Sequence, residues 1–213
     1  MSPSSSDLTI TNDTPWLLVS GSSDGTCVIW NEMLEPQKRL VGHGGGVLDV
    51  SIVQRRIVSA SRDATVRVWD IASGKEVQRL QGHAGPVNAL QSVEGDSDDP
   101  RVISASGDGT LRLWNVVTGE CLRVFVGHAR GLACARWNGD YIYSGGQDTQ
   151  LKVWNIHTGA CVATLPGHTD LIRTVDCHEV IDKNIYIYTY TRDKGTKIKT
   201  VSPIHVFYFS FMI

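Results

Sequence analysis

Three stretches of the chain each combine a His, a Ser, an Asp and a Trp in the same order: His43/Ser59/Asp63/Trp69, His83/Ser104/Asp108/Trp114 and His128/Ser144/Asp148/Trp154. Ser, His and Asp are the residue types of acyl transfer, in which the His takes a proton from an attacking hydroxyl and the Asp orients the imidazole. Catalysis of that kind needs one set at one cleft, whereas this chain has three equivalent sets. No nucleophile-elbow sequence surrounds any of the serines. The recurring Trp points to a different chemistry. A turn Asp can accept from the His, the His can bond the Ser hydroxyl, and the Ser can accept from the indole N–H. Such a network satisfies every buried polar group, and leaving one unpaired costs roughly 1–3 kcal/mol. The sets are therefore expected to be structural tetrads, with no catalytic residue and no enzyme activity.

The sets recur with a fixed step. Trp30, Trp69, Trp114 and Trp154 are separated by 39, 45 and 40 residues. The pairs Gly42-His43, Gly82-His83, Gly127-His128 and Gly167-His168 step by 40, 45 and 40. A period near 40 signals a repeat architecture. Between residues 41 and 80, four β-rich runs are predicted: Gly46–Ile52, Arg56–Ser61, Thr65–Asp70 and Glu76–Leu80, each bounded by turn residues. In the third run Val66 and Val68 share one face and Trp69 takes the other, so both faces are apolar and must be covered. Leu111/Leu113 with Trp114, and Leu151/Val153 with Trp154, repeat this pattern. Asp24-Gly25-Thr26 and Asp108-Gly109-Thr110 are strong hairpin signals. Asp148-Thr149-Gln150 lacks the glycine, and a locally different turn is expected there. The longer step comes from the acidic insertion Glu94–Pro100, read as a solvated loop.

Four short strands per period, with Trp30-Asn31, Trp69-Asp70, Trp114-Asn115 and Trp154-Asn155, form the signature of a propeller blade. From Trp16 to Cys177 the chain resembles the WD40 repeat family, since Gly-His, Ser-x-x-x-Asp, Asp-x-Thr and Trp-Asp/Asn recur in phase. The fold this implies is an all-β, partial WD40 β-propeller of about four to five blades, irregular at the first and last. Within the family it looks most like the propeller of F-box/WD-repeat proteins of the β-TrCP kind, on passages such as Gly85-Pro86-Val87-Asn88-Ala89 and Gly127-His128-Ala129-Arg130-Gly131-Leu132-Ala133-Cys134. Those relatives are substrate receptors of ubiquitin ligases, whose top face holds a phosphorylated segment. The resemblance places the top face just after each Gly-His and just before each turn Asp. The cations at or beside those positions are Arg62, Arg130 and Arg173, the candidate peptide-binding residues.

The chain divides into a polar N-terminus (1–14) expected to be disordered, repeats over 15–177, and a degenerate last blade or non-native tail over 178–213. The first unit starts at its second strand, and the fifteen residues before Trp16 are too few for an F-box. In the last unit Thr189 to Asp193 still echoes Ser59 to Asp63, but Lys199 or Thr200 holds the Trp position. An incomplete ring would lean on a partner or on self-association.

With 213 residues, 41% hydrophobic and 20% charged, the chain can build a core, and a net charge of −2 with scattered Lys and Arg excludes a basic nucleic-acid-binding patch. The first fourteen residues do not read as a signal peptide, and no membrane-spanning run is expected. Cys27, Cys121, Cys134, Cys161 and Cys177 have no zinc-ligand spacing and read as reduced, largely buried thiols, so no metal or other cofactor is expected. The resulting expectation is a non-catalytic scaffold in the cytoplasm or nucleus, binding protein or peptide partners and neither nucleic acid nor membrane. The alternatives are a scaffold of a G-protein-β-like or NACHT-associated subfamily, or a non-functional gene fragment.

Overall fold

The computed structural model describes residues 17–93, 99–180, 184–191, 195–201 and 206–209, with side-chain detail as far as Cys177. The segment 1–14 and most of the acidic insertion (94–98) lie outside the described residues. Five antiparallel sheets follow one another along the chain. The first has three strands, β1 (Leu18–Gly21), β2 (Thr26–Trp30) and β3 (Pro36–Val41). The second comprises β4 (Val47–Val53), β5 (Arg56–Ser61), β6 (Val66–Asp70) and β7 (Glu76–Leu80). The third comprises β8 (Val87–Val93), β9 (Arg101–Ser106), β10 (Leu111–Asn115) and β11 (Cys121–Phe125). The fourth comprises β12 (Leu132–Asn138), β13 (Tyr141–Gly146), β14 (Leu151–Asn155) and β15 (Cys161–Leu165). In the fifth, the backbone of β16 (Thr174–Val180), β17 (Asn184–Thr191), β18 (Gly195–Val201) and β19 (Val206–Phe209) pairs in sequence order. The segment 178–213, read from sequence as a degenerate blade or foreign tail, thus contributes paired strands.

Strands β4, β8, β12 and β16 each contact the next, so the sheets stack face to face around a line of first strands. Composition follows position. In the second, third and fourth sheets the second and third strands lie between neighbouring sheets and are mostly buried: in β5 only Arg56 is not. The outer strands β7 and β11 alternate, with Val77 and Arg79 of β7 exposed between less exposed neighbours, as expected of an outer edge.

Four apolar clusters fill the junctions between successive sheets. In the junction of the first and second sheets, Cys27, Ile29 and Leu40 pack with Val47, Ile57 and Trp69. Trp69, Trp114 and Trp154 therefore each seal a junction rather than the interior of their own sheet.

Two expectations need correction. The turn at Thr149 does not differ from the others: Gly25, Ala64, Gly109 and Thr149 have φ of 84°, 67°, 83° and 61°, so a β-branched residue adopts the left-handed conformation. Register at both ends of the hairpin fixes that geometry. The cysteines are free but not largely buried: Cys27 and Cys134 are, Cys121 and Cys177 are intermediate, and Cys161 is exposed on the outer strand β15.

Candidate functional site

The four members of each predicted tetrad converge where the loop entering a sheet meets its second and third strands. In the second sheet His43 Nδ1 lies 2.9 Å from Asp63 Oδ2, His43 Nε2 lies 2.8 Å from Ser59 Oγ, and Trp69 Nε1 donates to Ser59 Oγ at 2.8 Å. The corresponding distances are 2.9, 2.7 and 2.8 Å around His83, and 2.7, 2.8 and 2.8 Å around His128. Only one direction of donation satisfies all four groups. The indole donates to Ser, Ser donates to His Nε2, and His Nδ1–H donates to Asp. The imidazole is therefore neutral.

Burial lowers the pKa of His43, His83 and His128 below the ordinary value of 6.5, and the facing carboxylates only partly offset it. Burial also opposes the charge on Asp63 and Asp108, but hydrogen bonds outweigh it. Donors from Thr65, His43 and the Gly44 N–H hold Asp63 well below the usual carboxylate range. The Ala84 N–H, the Thr110 hydroxyl and His83 bring Asp108 down to about 2. Ser59, Ser104 and Ser144 are 0% exposed, and each already accepts from an indole, so no substrate can reach them. The sets make a bonded scaffold at each of three sheets. The first sheet keeps the Trp30–Ser20 bond at 2.9 Å, and its Asp24 pairs with exposed Arg39 instead of a His.

A second periodic feature escaped the sequence reading. Lys38 Nζ donates to the Ile71 carbonyl at 3.1 Å, Gln78 Nε2 to Val117 at 3.1 Å, and Arg123 Nη1 to Thr158 at 3.0 Å. Each bond reaches from the outer strand of one sheet to the last turn of the next. Beneath each lies a left-handed glycine, Gly74, Gly119 or Gly159 (φ 70°, 76° and 77°), where a Cβ would press on the reaching side chain. The signal was available in the numbering, since positions 38, 78 and 123 step by the same 40 and 45 as the Gly-His pairs.

On the first strands, Asp49 accepts the Leu90 N–H at 2.7 Å and Asn88 donates to the Leu132 carbonyl at 2.6 Å, each across a junction. Burial raises the pKa of Asp49 despite its two N–H donors. Arg136 donates to Gln91 at 3.2 Å on one side and lies 3.7 Å from Asp176 on the other. Asp49, Gln91, Arg136 and Asp176 line an open cleft of about 550 Å³ with Trp137 and Cys177. Among the described residues no group of His, Cys, Asp and Glu is arranged to hold a metal.

Arg62, Arg130 and Arg173 sit at the end of the stack that carries the tetrad His and Asp residues. Arg62 precedes Asp63, Arg130 follows His128 by two residues, and Arg173 leads into β16. All three are exposed, and none forms an ion pair among the described residues. The structure does not join them into one cluster. They belong to different sheets, with the small residues Ala84, Gly85, Pro86 and Gly107 at the same end between Arg62 and Arg130.

A profile of the WD domain, G-beta repeat, matches residues 4–31, 34–70, 74–115 and 119–155. The chain is 37% identical over 84 residues to a guanine nucleotide-binding protein subunit beta of Oryza sativa subsp. indica, covering 35% of this chain and 22% of that protein. It is 42% identical over 78 residues to the Notchless protein homolog of Arabidopsis thaliana, covering 35% and 16%. It is 40% identical over 73 residues to telomerase protein component 1 of Rattus norvegicus, covering 34% and 3%. The chain thus matches less than a quarter of the length of each of these relatives. The crystal structure of the computationally designed Ika8 protein overlays with a TM-score of 0.74 at 27% identity, over 85% of this chain and 54% of that one. With a repeat profile over most of its length and the sheet geometry to match, the chain belongs to the WD40 family.

Proposed function

We propose that this chain is a non-catalytic protein-interaction scaffold inside the cell. Its His- and Asp-bearing end holds an extended, phosphorylated protein segment, in the manner of a ubiquitin-ligase substrate receptor. The observation that carries this reading is the set of exposed cations at one end, Arg62, Arg130 and Arg173, with no carboxylate engaging them among the described residues. A guanidinium left open to solvent can fork onto phosphate oxygens, and the small residues between Arg62 and Arg130 leave room for a backbone to lie flat. The rigid tetrads below would fix the spacing of these cations.

The test is fluorescence anisotropy with matched phosphorylated and unphosphorylated peptide libraries, on the wild type and on Arg62→Glu/Arg130→Glu. Phosphorylated members should bind, and the double reversal should weaken them by about tenfold or more. Equal binding of both libraries, or insensitivity to the reversal, would sink the reading. A G-protein-β-like scaffold is the second reading, favoured by the identity to the rice β subunit. It predicts a folded protein partner whose binding ignores phosphorylation.

A further inference from the structure

Positions on which packing depends recur with the same kind of residue from sheet to sheet. Along the first strands, Val50, Leu90, Ala135 and Val175 step by 40, 45 and 40 and are all apolar. The next position breaks that uniformity. Ser51, Gln91, Arg136 and Asp176 are in the same phase, one from each of four sheets, and carry a hydroxyl, an amide, a guanidinium and a carboxylate. Packing asks for no such variety. All four line the open cleft of about 550 Å³, where Arg136 donates to Gln91 at 3.2 Å and lies 3.7 Å from Asp176.

The lining mixes donors with acceptors. The Arg136 guanidinium has five N–H groups and is 42% exposed, and at 3.7 Å from Asp176 its Nε makes no hydrogen bond there. It therefore has donors left for a ligand. The Gln91 oxygen accepts from Arg136, which leaves the amide NH₂ to donate. The hydroxyls of Ser51 and Ser92 lie on the same wall. Asp49 and Asp176 supply carboxylate acceptors. Asp49 accepts the Leu90 and Val50 N–H groups at 2.7 and 2.8 Å, which fixes its carboxylate at the cleft wall. Trp137 stands beside these groups, and its indole N–H donates to the Gly139 carbonyl. A ligand thus meets the ring rather than the N–H. A neighbouring cleft of about 380 Å³ shares Gln91, Ser92 and Trp137, so the open space continues past the indole.

We propose that this cleft binds an uncharged polyhydroxylated ligand, a sugar or a cyclitol, held by Arg136, Gln91 and Asp176 and stacked on Trp137. The lining decides the class. An anion would face Asp49 and Asp176, and a cation would face Arg136. An apolar ligand would strip water from all of these groups and return no hydrogen bond. A sugar hydroxyl both donates and accepts, so adjacent hydroxyls satisfy a carboxylate and a guanidinium at once. The C–H face of the same ring packs on the indole of Trp137. The cleft volume falls within the roughly 300–1,000 Å³ typical of small-molecule sites. Arg62, Arg130 and Arg173 take no part in it, so the site is independent of peptide binding at the Arg-bearing end.

The test is an NMR titration of the full chain that follows the Trp137 indole N–H and the Arg136 Nε–H. The probes are glucose, maltose and myo-inositol, with sodium acetate and tetramethylammonium chloride as charged counterparts. At least one polyol should give saturable shifts at both signals, and neither ion should. Arg136→Met keeps the length of the side chain without its donors and should raise the dissociation constant by about tenfold or more. Gln91→Met, which spares the approach of Arg136 to Asp176, should act in the same direction and keeps the test decisive if Arg136→Met fails to fold. Maltose bound more tightly than glucose would assign the ligand to a glycan chain, and equal affinity to a free sugar; either sustains the proposal. No saturable shift with any polyol, equal shifts with acetate or tetramethylammonium, or an affinity unchanged in both variants overturns it.

Discussion

Arg123 on the outer strand of the third sheet donates from Nη1 to the carbonyl oxygen of Thr158 in the fourth, 3.0 Å away. The Arg123 side chain passes over Gly159, which has no Cβ to block it and which suits the left-handed conformation there (φ 77°). Truncation of Arg123 takes away both the bond and the aliphatic stem packed on that turn. Arg123→Ala is expected to cost about 1 kcal/mol. In native-state hydrogen exchange the loss should appear first at the junction of the third and fourth sheets. Uniform acceleration across all sheets would show that the contact has no local role.

The tetrads should be more costly to break. Removing the Asp108 carboxylate leaves His83 Nδ1–H, the Ala84 N–H and the Thr110 N–H without their acceptor. Asp108→Ala should lose about 2–4 kcal/mol, as should Asp63→Ala. Thermal melts check this, and a wild-type melting temperature in either variant would contradict the network.

Acid should act through the same groups. A His whose folded pKa lies below 6.5 binds its proton more readily when unfolded, so its stabilisation is intact above pH 6.5 and erodes as pH falls toward the folded value. The lowered Asp63 and Asp108 add a second loss, beginning below their ordinary value of 3.8. Asp49, shifted upward, works in the opposite sense and stabilises slightly toward acid. With the three tetrad His and the three tetrad Asp (Asp148 is lowered as well) pulling one way, denaturant midpoints should be flat above neutrality, fall below pH 6.5, and fall again below pH 4. A profile that rises on acidification would refute the neutral-imidazole assignment.

Thr149 is held at φ 61° with no side-chain hydrogen bond to reward it. In the equivalent turns Thr26, Thr65 and Thr110 donate their hydroxyls to the turn Asp at 2.7 Å, but position 150 is a glutamine. Thr149→Gly should therefore stabilise by about 0.5–1 kcal/mol, readable in chemical denaturation.

What the sequence disclosed and what it hid divide along the period. Gly-His, Ser, Asp and Trp are rare enough that their repetition is visible by eye, and with them came the strands, the buried third strand and the membership of each tetrad. The turn at Thr149 was misjudged because its geometry is imposed by strand register at both ends, not by its own residue type. Lys38, Gln78 and Arg123 share a position and a role but no chemistry beyond a donor at the end of a long side chain. Asp49, Gln91, Arg136 and Asp176 meet only because the first strands line up, which no single stretch of sequence encodes. The three arginines could be named in advance, but their spread over separate sheets could not.

The placement of each indole has a consequence for how such a chain can change length. Tetrad, outer bond and indole all link a sheet to itself or to its immediate neighbour. A unit copied whole, from one Gly-His to the next, would therefore meet the same partners on both sides. Growth by duplication would need no new contact to be invented, and loss of a unit would leave no orphaned one. Unequal recombination between units is then nearly neutral for packing, and its effect falls on the number of blades and hence on whether the ends can meet.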